Sequence, residues 1–192
     1  DGSAKFITAF FRAPEVTDAV RDLLQSRDGL MLGICNGFQA LIKLGLVPYG
    51  DIVDATPEAP TLTFNTIGRH QSRLVRTRVA SNLSPWLAQC EQGSDYTVAI
   101  SHGEGRFVAS DEVLAQLVAN GQVATQYVDE NGRPSMDLGV NPNGSIACVE
   151  GITSPDGRVF GKMGHVERRG DGLYANVPGN KFMPVFESGV SY

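Results

Sequence analysis

The 192-residue chain is short of positive charge, of cysteine and of long apolar runs, and each shortage excludes something. Lys and Arg number 16 against 21 Asp and Glu, a formal net charge of −5 with no basic cluster. Such a chain lacks the electrostatic footprint with which proteins hold nucleic acid. The longest apolar stretch, Gly29 to Ile42, is interrupted by Asn36 and Gln39. It falls short of the roughly 20 apolar residues that cross a bilayer. No charged segment followed by an apolar one opens the chain, so it reads as cytoplasmic with no membrane partner. The three cysteines, Cys35, Cys90 and Cys148, are an odd number at unrelated spacings, which excludes a disulfide framework and a paired-cysteine zinc site. Neither form of glycine-rich phosphate loop occurs at a strand–helix junction, so no nucleotide site of the chain's own is expected.

What is present is enough hydrophobic sequence, 42%, for one domain spanning residues 1–192. Val16, Val20, Leu23 and Leu24 recur at helical spacing within Ala13 to Ser26, with Pro14 where a helix start tolerates it. Leu30 to Ile34 is a continuous apolar run of the kind found in strands covered on both faces. Gly37 to Leu44 reads as helix, stopped by Gly45. Strands are expected at Leu62 to Ile67 and Ser72 to Val79, around the polar turn Gly68 to Gln71. Further strands are expected at Tyr96 to Ile100, Val123 to Val128, Ile146 to Gly151 and Val159 to Met163. Helices are expected at Asp111 to Asn120 and Lys181 to Glu187. The alternation predicts an α/β fold, an open, mostly parallel sheet flanked by helices.

The sharpest chemical signal is Gly33-Ile34-Cys35-Asn36-Gly37, which has the form G-x-C-x-G between a buried strand and a helix. That context is the one required of a nucleophile elbow, in which a strained turn lifts the nucleophile above the sheet. Small flanking residues let the turn close, and the helix N-terminus favours a thiolate. The Asn36 N–H is placed to meet an oxyanion. The plainer reading makes Cys35 a small buried hydrophobe. Gln39 lies one helical turn after Cys35, on the same face. A thiol nucleophile needs an imidazole and the imidazole needs an acid, and His165 with Glu167 supplies both at a strand end. The alternative for that segment is a charge-paired surface turn. His102, in SHGEGRF, has the glycine-rimmed setting of a binding loop rather than a base. His70 is expected to be solvated, and Cys90 and Cys148 structural. Zinc is not expected, because no cysteine pair follows either His-x-Glu.

GICNGFQ, SHGEGRF and the run from NPNGS to GITSPDGRVFGKMGHVER, in that order, resemble one family. The sequence is similar, along its whole length, to the glutaminase domain of phosphoribosylformylglycinamidine synthase, a class I glutamine amidotransferase of purine biosynthesis. The resemblance implies a flavodoxin-like fold with a Cys-His-Glu triad of Cys35, His165 and Glu167. It assigns Asn36 to the oxyanion hole, and Gln39, Ser101, His102 and Gly103 to glutamine. It implies no cofactor or metal in this chain, with ATP and Mg²⁺ belonging to a partner synthetase domain. That domain amidates formylglycinamide ribonucleotide with the ammonia released.

Two departures accompany the resemblance. The family's usual histidine motif is His-Pro-Glu, and Val166 stands here in place of the proline, which removes a φ lock. Family members also carry leading strand–helix units and a glycine-rich loop that supplies a second oxyanion N–H. This chain is expected to lack those units, to be a C-terminal fragment of a longer synthase, and to associate through the uncovered sheet edge. Two other readings stay open: a catalytically silent docking module of the same fold, and a different cysteine hydrolase such as a γ-glutamyl peptidase.

Overall fold

A computed structural model describes residues 2–192. Helix α1 (Ser3–Phe11) leads into α2 (Pro14–Arg21), where Pro14 occupies the first turn and so forfeits no helical N–H. A π-helical turn, Asp22–Ser26, extends α2 to the end expected from the apolar spacing. Strand β1 (Met31–Ile34) and helix α3 (Asn36–Leu44) follow, the latter closed by Gly45 in the left-handed conformation. A short helix α4 (Leu46–Tyr49) precedes β2 (Thr61–Thr63), β3 (Gln71–Val79), β4 (Asp95–His102) and β5 (Arg106–Val108). Helix α5 (Asp111–Ala119), capped by the Ser110 hydroxyl, leads to β6 (Val123–Tyr127), β7 (Val149–Thr153), β8 (Val159–Lys162) and α6 (Val185–Val190).

The α/β class holds, and the pairing is more antiparallel than expected. The main sheet has the order β1-β8-β7-β6-β3-β4, and only β1 and β8 run parallel. The reason is in the connections. A parallel pair needs a crossover of a dozen or more residues, whereas the tight SPDGR turn can join β7 to β8 only as a hairpin. The strands expected around Gly68 to Gln71 do not pair with each other; β2 instead joins β5 in a separate two-stranded sheet. Ile146–Cys148 is a 3₁₀ turn rather than the start of a strand, because Ala147 and Cys148 both take positive φ. The last helix begins at Val185, after Pro184, rather than at Lys181.

Two apolar clusters fill the interior. One joins Val20, Leu24, Phe38, Leu41 and Leu44 to Ile152 and Val159. The other joins Val75, Tyr96, Ile100, Tyr127 and Phe160 to Val166 and Met183. β1 is an edge strand, with α1 partly over it through Ile7 and Phe11. The sheet also curls. His165, just beyond β8, bridges Ala99 in β4 at the far end of the strand order, with its N–H donating to the Ala99 carbonyl at 2.8 Å. That curl brings the ends of β1, β8 and β4 to one place.

Candidate active site

Cys35 sits at the β1–α3 junction with φ 54° and ψ −105°. A positive φ on a non-glycine residue at such a turn typically stores about 1–3 kcal/mol, retained only where the surroundings enforce it. The enforcement is visible: the Cys35 N–H donates to the Lys162 carbonyl at 2.8 Å, and its own carbonyl accepts from Gln39 N–H at 3.0 Å as α3 begins. This is the elbow expected from G-x-C-x-G. Its two glycines are unequal, however. A Cβ on Gly33 would lie 2.5 Å from Leu41 Cδ1 and 2.7 Å from the Gly37 backbone, whereas one on Gly37 would meet nothing within 4 Å. Only Gly33 is required by packing.

The thiol is buried and donates to the Ser101 carbonyl at 3.6 Å. Burial pushes its pKa above the ordinary thiol value. The Asn36 amide pulls the other way, as does the Arg168 charge, and neither compensates. The helix N-terminus therefore acts in the expected direction but is outweighed by burial.

Because β1 and β8 are parallel and paired Ile34 to Lys162, Cys35 and the segment leading to His165 leave the sheet at the same end. His165 Nδ1 lies 2.5 Å from Glu167 Oε1. Its Nε2 is buried and has no hydrogen-bond partner among the described residues. Val166, in the place of the proline, is buried in the second apolar cluster and anchors the turn by packing instead. Glu167 and Arg168 stay exposed, and Arg169 pairs with Glu187 at 2.7 Å, so the segment is a surface turn anchored from within by Val166.

The other expected residues converge on the same place in different capacities. Gln39 is buried and its Nε2 donates to the Glu104 carbonyl at 2.6 Å, so it braces the SHGEGRF loop. His102 is buried, with Nδ1 3.2 Å from Asn65 Oδ1, and burial depresses its pKa to about 4. Its ring packs so closely on Gly105 that a Cβ there would lie 2.5 Å away. The ring therefore shapes the loop, while the Ser101 and Gly103 carbonyls are already engaged by the Cys35 thiol and by Asn65 N–H at 2.8 Å. His70 is exposed, as expected, yet its Nε2 is 3.1 Å from Ser101 Oγ. Cys90 and Cys148 are buried and unbridged.

Sequence reasoning missed the latch that holds this loop. Asn65 Nδ2 donates to the His102 and Arg69 carbonyls at 2.8 and 2.9 Å. From the NPNGS motif, Asn143 Nδ2 donates to the Gly105 carbonyl at 2.6 Å and the Phe107 N–H donates to Ser145 Oγ at 3.0 Å. A cluster of turn-forming polar residues was the signal, but it reads equally as an exposed loop. Among the described residues no group of three or more His, Cys, Asp or Glu is placed to hold a metal ion.

A family model described as the CobB/CobQ-like glutamine amidotransferase domain matches residues 1–192. The chain belongs to this family. The glutamine amidotransferase domain is 32% identical over 175 residues to the protein named phosphoribosylformylglycinamidine synthase subunit PurQ of Moorella thermoacetica, covering 91% of this chain and 68% of the relative. It is 38% identical over 141 residues to the PurQ subunit of Thermomicrobium roseum, covering 73% of this chain and 54% of that one. It also superposes on the structure of PurLQS from Thermotoga maritima with a TM-score of 0.62 at 28% identity, covering 92% of this chain and 71% of the other. This amidotransferase domain thus spans between about half and two thirds of the length of those two curated relatives. No helix among the described residues is long and apolar enough to cross a membrane.

Proposed function

We propose that this domain hydrolyses the side-chain amide of L-glutamine and delivers the ammonia to a synthetase partner that amidates formylglycinamide ribonucleotide. The observation that carries the reading is the convergence of a strained Cys35 elbow and a His165–Glu167 pair at one end of the sheet. The PurQ relatives and the PurLQS likeness support the purine substrate and the partner. The synthetase stands on the same polypeptide or on a separate subunit, and it is there that ATP and Mg²⁺ act. β1 is the edge strand of the main sheet, and we place such association there.

Burial pushes the Cys35 pKa up, and catalysis begins with proton transfer from Cys35 Sγ to His165 Nε2 as sulfur attacks the glutamine δ-carbon. The Asn36 N–H stabilises the oxyanion that forms. Glu167 holds the proton on Nδ1, which leaves Nε2 as the basic nitrogen, and stabilises the imidazolium. Collapse of the tetrahedral species passes the Nε2 proton to the departing nitrogen, releasing ammonia and leaving a γ-glutamyl thioester. Water, deprotonated by the same Nε2, then releases glutamate and restores the thiol. Gln39, His102 and the Ser101–Gly103 backbone form the wall against which the amide lies.

Cys35→Ala in the full-length protein tests the proposal. It should abolish glutamine-dependent synthesis while synthesis from added ammonium persists. Retained glutamine use would refute it, and a protein that uses neither donor before the substitution would be the docking module of the same fold.

A further inference from the structure

Glu150 and Lys162 are the only Asp, Glu, Lys or Arg residues buried among the described residues, and both side chains are wholly inaccessible to solvent. Lys162 Nζ lies 3.1 Å from Glu150 Oε1. A buried ion pair is a weak source of stability compared with an apolar pair of the same volume. Two of its remaining hydrogen bonds show a more specific use, because they converge on one residue. Glu150 Oε1 accepts from the Gly164 N–H at 2.5 Å, and Lys162 Nζ donates to the Gly164 carbonyl at 2.9 Å. The Thr125 hydroxyl donates to the other oxygen, Glu150 Oε2, and fixes the carboxylate.

Gly164 immediately precedes His165, and we propose that the Glu150–Lys162 pair is a positioning device that holds His165 in place through the backbone of Gly164. The inference rests on His165 being the base of the proposed reaction. Gly164 is fitted to the pair: a Cβ there would lie 2.9 Å from Glu150 Oε1, 3.0 Å from Lys162 Nζ and 2.7 Å from Val98 Cγ2. With its N–H and carbonyl both clamped, Gly164 delivers His165 to the Ala99 carbonyl, where its own N–H is fixed at 2.8 Å. The turn is thus held from position 164, while Val166 packs as an ordinary apolar residue without the φ lock that a proline there would supply.

Single substitutions would strand an unpaired buried charge and unfold the chain. The test is therefore the double variant Lys162→Met with Glu150→Gln in the full-length protein, which keeps volume and removes both charges. Glutamine hydrolysis should fall about 10–100-fold in kcat, the scale on which a small misplacement of a reacting group acts, with KM little changed. Adding Val166→Pro should recover much of that loss. Val79→Ala, a buried core change in β3, serves as the control for lost stability. A second readout needs no turnover: the pH dependence of iodoacetamide labelling at Cys35, with His165→Ala defining the part that His165 contributes. That part should shift in the double variant and return with Val166→Pro. A folded double variant with unaltered kcat and labelling profile overturns the clamp, and so does a loss that Val79→Ala reproduces and Val166→Pro does not relieve. If the protein hydrolyses no glutamine at all, the proposed function fails, and the labelling profile still decides the clamp.

Discussion

Glu167 Oε1 sits 2.5 Å from His165 Nδ1, on the side of the ring opposite the buried, unpartnered Nε2. A carboxylate there accepts the Nδ1 proton and compels the tautomer in which Nε2 is a base. Glu167→Gln presents an amide in the same space, which donates as readily as it accepts, and so permits the wrong tautomer. The expected result is a fall in glutamine hydrolysis of about 10²–10⁴-fold in kcat at unchanged KM for glutamine. Steady-state kinetics against glutamine, with ammonium-dependent synthesis as the internal control, decides it. A variant within threefold of the parent would remove Glu167 from the mechanism.

The burial of the Cys35 thiol has its own consequence. Burial raises its pKa, so the unliganded protein holds little thiolate at pH 7. Iodoacetamide labelling of Cys35, followed by peptide mass spectrometry, should be slow at pH 7 and still rising at pH 9. A glutamine-mimicking diazo-ketone should label the same residue at pH 7, since it is activated at the site, and excess glutamine should block it. Rapid alkylation at pH 6 with a plateau would mean a preformed thiolate–imidazolium pair instead.

The elbow, the His165–Glu167 pair and the α/β class were all legible because each is written in a short stretch of chain. An apolar run ending at Cys35, a helix beginning at Asn36 and a strand ending before His165 need no tertiary information, although β1 is an edge strand and only half-buried rather than covered on both faces. What was illegible depends on partners distant in sequence. The pairing of β2 with β5, the latching of His102 by Asn65 and the burial of Lys162 on Glu150 join residues with no local mark of their meeting. The same holds for the Cys35 thiol: the helix N-terminus that lowers its pKa is visible in sequence, whereas the burial that pushes it up is not.

His102 makes stability depend on pH in a direction that can be worked out. Its pKa falls from 6.5 to about 4 on folding, because the buried ring resists charging. Between those values the unfolded chain binds a proton that the folded chain refuses. The residue's contribution is therefore fully present above the unfolded pKa and is lost as pH falls toward the folded one, to a total of about 3 kcal/mol. Urea denaturation at intervals from pH 7.5 to 4.5 should show this loss in the parent and a flatter curve in His102→Gln, although the variant starts lower. Parallel curves would show that the folded loop lets the ring take up its proton as readily as the unfolded chain does.

The two glycines of the elbow should behave differently even though they flank the same cysteine. At Gly33 an added methyl is driven into Leu41 and the backbone of Gly37, so β1 and α3 must separate and the turn that holds Cys35 must open. Overpacking of this kind costs about 1–3 kcal/mol, and here the strain falls on Cys35. Gly37 lies inside α3 with open space at its Cβ position, where alanine gains up to about 1 kcal/mol of helix propensity. Gly33→Ala should therefore lower the urea midpoint and glutamine hydrolysis together, while Gly37→Ala leaves the midpoint unchanged or raises it. If Gly33→Ala proves silent, the close approach of strand and helix does not set the turn, and the strain at Cys35 must be held by its backbone hydrogen bonds to Lys162 and Gln39.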